Sequence, residues 1–236
     1  ENITIYAKWT ANHTGDTGGQ PQQGGESEPS QEKIYAEVKA GEGEQISQTP
    51  IERTKGTNGA ITERVTLTEK EASEVAEQLK ANTEKTAKIV IPDKKDEVAE
   101  IEITILKTSL DIITKGDANL EVDTKNARLS LPCESIKGLS EDLYFRVVPI
   151  KEEKERKEVE QRAKTEEVVR KAANEQGISV VARPATIETN MTSLDVDVTL
   201  PLRDVELPEG SAEREQFLDS LVVFIEHSDG EKALVR

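Results

Sequence analysis

Aromatic side chains are scarce: three Phe, three Tyr and one Trp in 236 residues. A core without rings must be built from Val, Ile, Leu and Ala, which bury less area each, so lean, elongated modules are expected. There is one cysteine, Cys133, which excludes an intrachain disulfide framework and any multi-cysteine metal site. The two histidines, His13 and His227, are too few for a histidine-based metal centre. Cations are outnumbered, 31 Lys and Arg against 47 Asp and Glu, for a net charge of −16. A polyanion with no basic patch repels nucleic acid and anionic lipid heads, so neither is an expected partner. No apolar run approaches the ~20 residues that span a bilayer, and no membrane insertion is expected.

What is present is organised in blocks. Residues 1–10, ENITIYAKWT, alternate apolar and polar side chains and read as one strand. A lone strand is not stable, so its partners are either upstream of the chain or further along it. Residues 11–32 contain almost no bulky apolar side chain and are dominated by Gly, Pro, Ser, Gln and Glu; they read as a flexible linker. Residues 33–150 are periodic and read as an α+β module. Strands are expected at 34–38, 61–67, 87–91 and 98–106, with a polar, Gly-containing segment between the first two. In the last of these, Ile101, Ile103 and Ile105 share one face and Glu102 and Thr104 the other. TEKE at 68–71 fits a capping box opening a helix whose stripe is Ala72, Val75, Ala76 and Leu79. A short helix over 108–115 ends at Gly116, and a hairpin joins 120–122 to 127–131 around 124–126. Pro132 opens a short helix to Leu139, and 143–148 is a strand.

Residues 151–177 read as one long charged helix connecting two modules, with Val159, Ala163, Val168, Val169, Ala172 and Ala173 as its apolar positions and Gly177 as its stop. Its first two turns read as solvated and its second half as docked. Residues 178–236 return to β, with strands over 179–183, 186–189, 194–200 and 221–225, a short helix over 212–220, a turn at 228–230 and a further strand from Ala233. Strands outnumber helices and the helices interrupt them. The expected class is therefore α+β, mainly β, with Ig-like or β-sandwich-type modules, inserted short helices and one longer charged helix.

The candidate chemistry is thin. Paired carboxylates at ~5–10 Å serve glycoside hydrolysis, but the acids here fall in charge runs or on the outward phase of strands. Cys133 with His227 is the one nucleophile–base pair available, and no oxyanion-type glycine motif accompanies it; Cys133 is expected as a small buried filler. Asp195 and Asp197 share a strand face and, with Asp204 or Glu188, are the candidates for calcium, although no DxDxDG loop is present. Asn2, Asn12 and Asn190 head N-x-S/T triplets, which imply only exposure. Tyr6 and Trp9 fall on opposite faces of the first strand and read as packing residues. No catalytic residue and no cofactor is expected.

Two stretches carry a resemblance. ITIYAKWT (Ile3 to Thr10), set directly before the Gly/Pro/Gln linker, resembles the last strand of the Listeria–Bacteroides repeat, also called the internalin B-repeat. The segments NLEVDTKNARLSLPCESI, DLYFRVVPIKEE, RPATIETN, LDVDVTLPL and LVVFIEHSDGEKALV, in that order, resemble the β-rich region that precedes S-layer homology domains in surface proteins of spore-forming Gram-positive bacteria. The resemblance implies a secreted, non-catalytic structural or spacer module at the cell surface, engaged with other surface-protein domains or with copies of itself. It also implies that any hold on cell-wall polymer lies in anchoring domains outside this sequence. Both ends read as cut, and the chain is expected to be a piece of a longer protein. Two rival readings are a carbohydrate- or host-ligand-binding adhesin and an autoproteolytic domain.

Overall fold

The computed structural model describes residues 2–11, 33–173, 178–191, 195–202, 205–227 and 230–235. In chain order these give β1 (Asn2–Ala11), β2 (Ile34–Ala40), β3 (Gln45–Lys55), β4 (Ile61–Leu67), α1 (Glu69–Leu79), β5 (Thr86–Val90), β6 (Val98–Ile105), α2 (Lys107–Lys115), β7 (Asn119–Asp123), β8 (Arg128–Leu131), α3 (Cys133–Ile136) and β9 (Leu143–Pro149). They continue with α4 (Glu153–Thr165), α5 (Glu167–Ala173), β10 (Ile178–Val180), β11 (Ala185–Thr189), β12 (Asp197–Thr199), α6 (Ser211–Asp219), β13 (Leu221–Glu226) and β14 (Lys232–Val235). The chain is α+β and mainly β. Its strands form one large curled sheet in the order β12-β8-β7-β5-β2-β3-β4-β6-β9-β11-β1-β13-β14, with β10 alongside β1.

Strand alternation builds the core. Ile101, Ile103 and Ile105 of β6, Leu143, Phe145 and Val147 of β9, and Leu120 and Val122 of β7 are all buried in one continuous cluster. Ala182, Ile187 and Leu200 belong to it too, so strands from 33–150 and from 178–236 close on the same apolar interior. The curl follows from connectivity. β11 pairs antiparallel with β9 on one flank, whereas β12, a few residues further on, pairs antiparallel with β8 on the other. Helix α1 links β4 to β5 and α2 links β6 to β7, and the two helices pack together. The Glu71 carboxylate accepts a hydrogen bond from the Thr68 N–H at 3.2 Å, so the capping box of the sequence is formed.

Two local outcomes differ from the sequence reading, and a third settles a question it left open. The polar segment before residue 59 contains an 11-residue strand, β3. Its inward positions are Ser47, Thr49 and Ile51, so polar side chains occupy the buried phase. Thr49 is tolerated there because its hydroxyl donates to the Thr66 carbonyl at 2.8 Å. Pro50, which cannot donate to a ladder, falls just before the first residue of β3 that pairs with β4 and faces Tyr35 of β2 alone. The β3–β4 hairpin turns at Gly59, whose φ of +84° is a left-handed value open to glycine.

The long charged helix is two helices, broken at Glu166 with an extended ψ of 135°. A continuous helix would turn Val169 and Ala173 about 80° away from the face of Val159 and Ala163. The break brings Val159, Ala163 and Val169 to the same cluster and leaves Ala173 buried, and the Thr165 hydroxyl bonds the Arg162 carbonyl at 2.7 Å to close the first helix. The first two turns of α4 are solvated and its second half is docked, as its apolar positions suggested. Finally, β1 takes partners later in the chain: it runs parallel to β11 on one side and to β13 on the other. The 11–32 linker reading lies outside the described residues apart from Ala11, and the 228–230 turn does so apart from Gly230.

Candidate functional site

The residues singled out by sequence do not converge. Asp195 and Asp197 are exposed, and Asp197 is Cα partner to Ser130 of β8. Glu188 is taken by Arg146 at 2.8 Å, and Asp204 lies outside the described residues. Among the described residues no group of three or more His, Cys, Asp or Glu is placed to hold a metal. Cys133 is buried at the start of α3, its backbone N–H bonded to Asn119 Oδ1 at 2.9 Å and its Sγ facing the Thr114 carbonyl at 3.8 Å. Burial pushes its thiol above the ordinary cysteine range, the opposite of an activated nucleophile. His227 follows β13, where its backbone N–H donates to the Glu231 carbonyl at 2.8 Å. Cys133 and His227 therefore belong to elements near opposite ends of the strand order.

The Asn190 side chain is engaged at both ends. Its Oδ1 accepts from the Tyr144 N–H at 2.9 Å and its Nδ2 donates to the Asp142 carbonyl at 2.8 Å. That makes it a latch on the start of β9. Asn2, Tyr6 and Trp9 lie in β1, with Tyr6 in register with Phe224 and Trp9 with Ile187. Asn12 and His13 lie outside the described residues.

What the structure does assemble is a set of ionic clusters that the sequence did not reveal. On the sheet surface Arg146 of β9 bridges Glu100 of β6 at 2.5 Å and Glu188 of β11 at 2.8 Å, and Arg64 of β4 pairs with Glu102 of β6. Arg53 of β3 holds Glu63 of β4 at 2.5 Å and Glu97 at 2.6 Å. The Glu63 side chain is fully buried, and burial raises its carboxyl above the usual range even though the Arg53 guanidinium works against that. On β5, Lys88 has only 5% of its side chain exposed and meets Glu42 at 2.7 Å, Glu121 at 2.9 Å and Asp123 at 3.6 Å. Burial acts to lower its ammonium, but the carboxylate hydrogen bonds outweigh burial and leave it raised.

A further cluster closes the curl. Asp93 caps the loop after β5 by accepting from the N–H groups of Glu97 and Val98 at 3.0 and 3.2 Å. Asp96 adopts a left-handed φ of 55°, which Asp tolerates, and its carboxylate receives Arg183 at 2.7 Å and Lys151 at 3.0 Å. Arg183 also donates to Asn126 Oδ1 at 2.9 Å. The Arg183 hydrogen bond, with help from Lys151, holds the Asp96 carboxyl well below its ordinary range. One latch thus ties the β5–β6 loop, the β7–β8 turn, the entry to α4 and the segment between β10 and β11.

These groups are spent on one another across strands, so the arrangement fixes register and joins segments; it does not aim a polar set at a substrate. Sequence missed them because the partners are remote: Arg183 and Asp96 lie 87 positions apart. The available cues were Lys88, a cation within the apolar strand TAKIV, and Arg146 within LYFRVVP.

No family model matches the chain, and no curated protein and no solved structure matches it.

Proposed function

We propose that the chain is a non-catalytic structural module of a bacterial cell-surface protein, of spacer type, displayed outside the cell. Its partners on this reading are other surface-protein domains or copies of itself. The observation that carries the reading is the cross-strand ionic ladder: Arg146 with Glu100 and Glu188, Arg53 with Glu63 and Glu97, and Lys88 with Glu121 and Asp123. Charges that bind neighbouring strands serve rigidity, and the excess of acids over bases leaves the chain anionic and suited to life in water. The finer fold reading, a sandwich-type packing, rests on the curl: β8 and β7 on one flank and β6, β9 and β11 on the other contribute to one core. The S-layer-associated setting rests on the segments quoted from the sequence.

Antibody raised against the purified chain tests the location. Intact cells of the source organism should be labelled, and labelling confined to lysed cells overturns the reading. A glycan array probed with and without EDTA tests the adhesin rival. No EDTA-sensitive signal is expected; a signal abolished by EDTA and by D195N/D197N replaces the structural reading with a calcium-dependent binding one.

A further inference from the structure

β1 is held differently from every other described strand. It alone runs parallel to both of its neighbours, β11 and β13, and also to the short β10. Parallel strands need long crossover connections, so no hairpin fastens β1 to either side. Its neighbours come from residues 178–189 and 221–226, whereas its own chain continues through residues 12–33 to β2, which stands between β5 and β3 near the middle of the sheet order. Nearly the whole strand is paired. Asn2–Thr4 match Ile178–Val180, Ala7–Ala11 match Ala185–Thr189, and Ile3–Lys8 match Leu221–Glu226. Remove β1 and two sheet edges face each other across a gap one strand wide, each with a row of open backbone donors and acceptors. The β13–β14 hairpin would still be fastened through Phe224 to Val159, Ala163 and Val169, so the slot keeps both of its walls.

We infer that this slot is an exchange site for the first strand of a second copy of the same chain. The hydrogen bonds are the same whichever copy supplies the strand, so the choice is set by connection and concentration alone. By covalent geometry a connection of roughly 20 residues reaches at most about 70 Å, enough to meet a neighbouring molecule. Covalent connection of the strand to its own slot acts as an effective concentration, at most about a millimolar. Chains in dilute solution therefore close on themselves, and chains crowded on a surface exchange strands and link into a row. The inference rests on the assembly part of the proposed function and names its partner.

Engineered thiols in a Cys133→Ser background test it. Ile5 and Val223 are Cα partners across β1 and β13. In one chain carrying both Ile5→Cys and Val223→Cys, an intrachain disulfide is expected. Two differently tagged chains, one with Ile5→Cys and one with Val223→Cys, are then unfolded, mixed and refolded together from 10 μM to 1 mM. The expected result is a disulfide-linked heterodimer that rises with concentration and at about 1 mM exceeds, by roughly tenfold, a collision control pairing Ile5→Cys with Glu213→Cys on exposed α6. Heterodimer no greater than the control at every concentration overturns the exchange. Failure of the intrachain disulfide also overturns it, because the strand then does not occupy the slot. Neither failure touches the cell-labelling result, so the location at the cell surface stands or falls separately.

Discussion

The apolar side chains inside the curl and those beneath the charged helices are equally hidden from water, yet they keep different company. Phe145 is fully buried at the centre of β9, with β6 on one side and β11 on the other, in a cluster that runs from β2 to β12. Phe224 is 1% exposed but shares its cluster with only Val159, Ala163 and Val169, with Ile150, Val168 and Leu234 at its margin. The first is a core in which every element is covered by several others. The second is a clasp, in which two short helices cover one hairpin. Burial of a single residue does not separate the two; the number of elements that share its interior does.

The largest expected effect breaks this comparison at its strong end. Phe145→Ala should cost about 3–5 kcal/mol of global stability in denaturant unfolding. Phe224→Ala removes the same ring but should leave the main transition nearly in place while hydrogen exchange accelerates across residues 153–173 and 221–235. Equal losses in the global transition, with no local acceleration, would show that clasp and core unfold as one unit.

A smaller effect sharpens the joint between them. Asp96 has a depressed carboxyl, through Arg183 first and Lys151 second, so its folded form holds the charge further into acid than the unfolded chain does. Its contribution is complete above about pH 5 and is lost as pH falls through the unfolded value near 4 and below it. Glu100, lowered first by its Arg146 hydrogen bond, acts in the same sense. Glu63, raised by burial, acts in the opposite sense and favours the folded state as it protonates. Asp96→Asn should therefore be less stable than the parent at pH 7 and show a shallower loss on acidification, with the Glu100 share still visible. An acid limb of unchanged slope in urea titrations would remove Asp96 from the account. The smallest effect belongs to α6, none of whose described residues is buried. Leu218→Ser, at a side chain 42% exposed, should change stability by no more than about 0.5 kcal/mol by the same titration.

Local grammar was legible where side chain and backbone agree. TEKE announced α1, the alternation of Ile101, Ile103 and Ile105 announced β6, and the Thr124–Asn126 stretch announced the turn between β7 and β8. It failed where the tertiary environment reversed a local signal. β3 was hidden because its buried phase is Ser47 and Thr49, polar groups that only a neighbouring strand can satisfy. The break at Glu166 was hidden because the reason for it is the phase of Val169 relative to Phe224, a contact some 55 positions away. Asp195 and Asp197 read as a ligand pair because they share a phase, but a phase says nothing about what stands opposite. The Arg183–Asp96–Lys151 latch could not be read at all, since each member is an unremarkable surface charge until the curl brings it to the others.

The register of the last three strands carries a geometric consequence. β1 begins at Asn2 next to the start of β13, and β14, running the other way, ends with Val235 beside Val223, which is itself beside Ile5. The first and last described residues, Asn2 and Val235, thus lie at one rim of the sheet, side by side with a single strand between them. A pull applied between those two residues would meet the strands crosswise and part their ladder rung by rung.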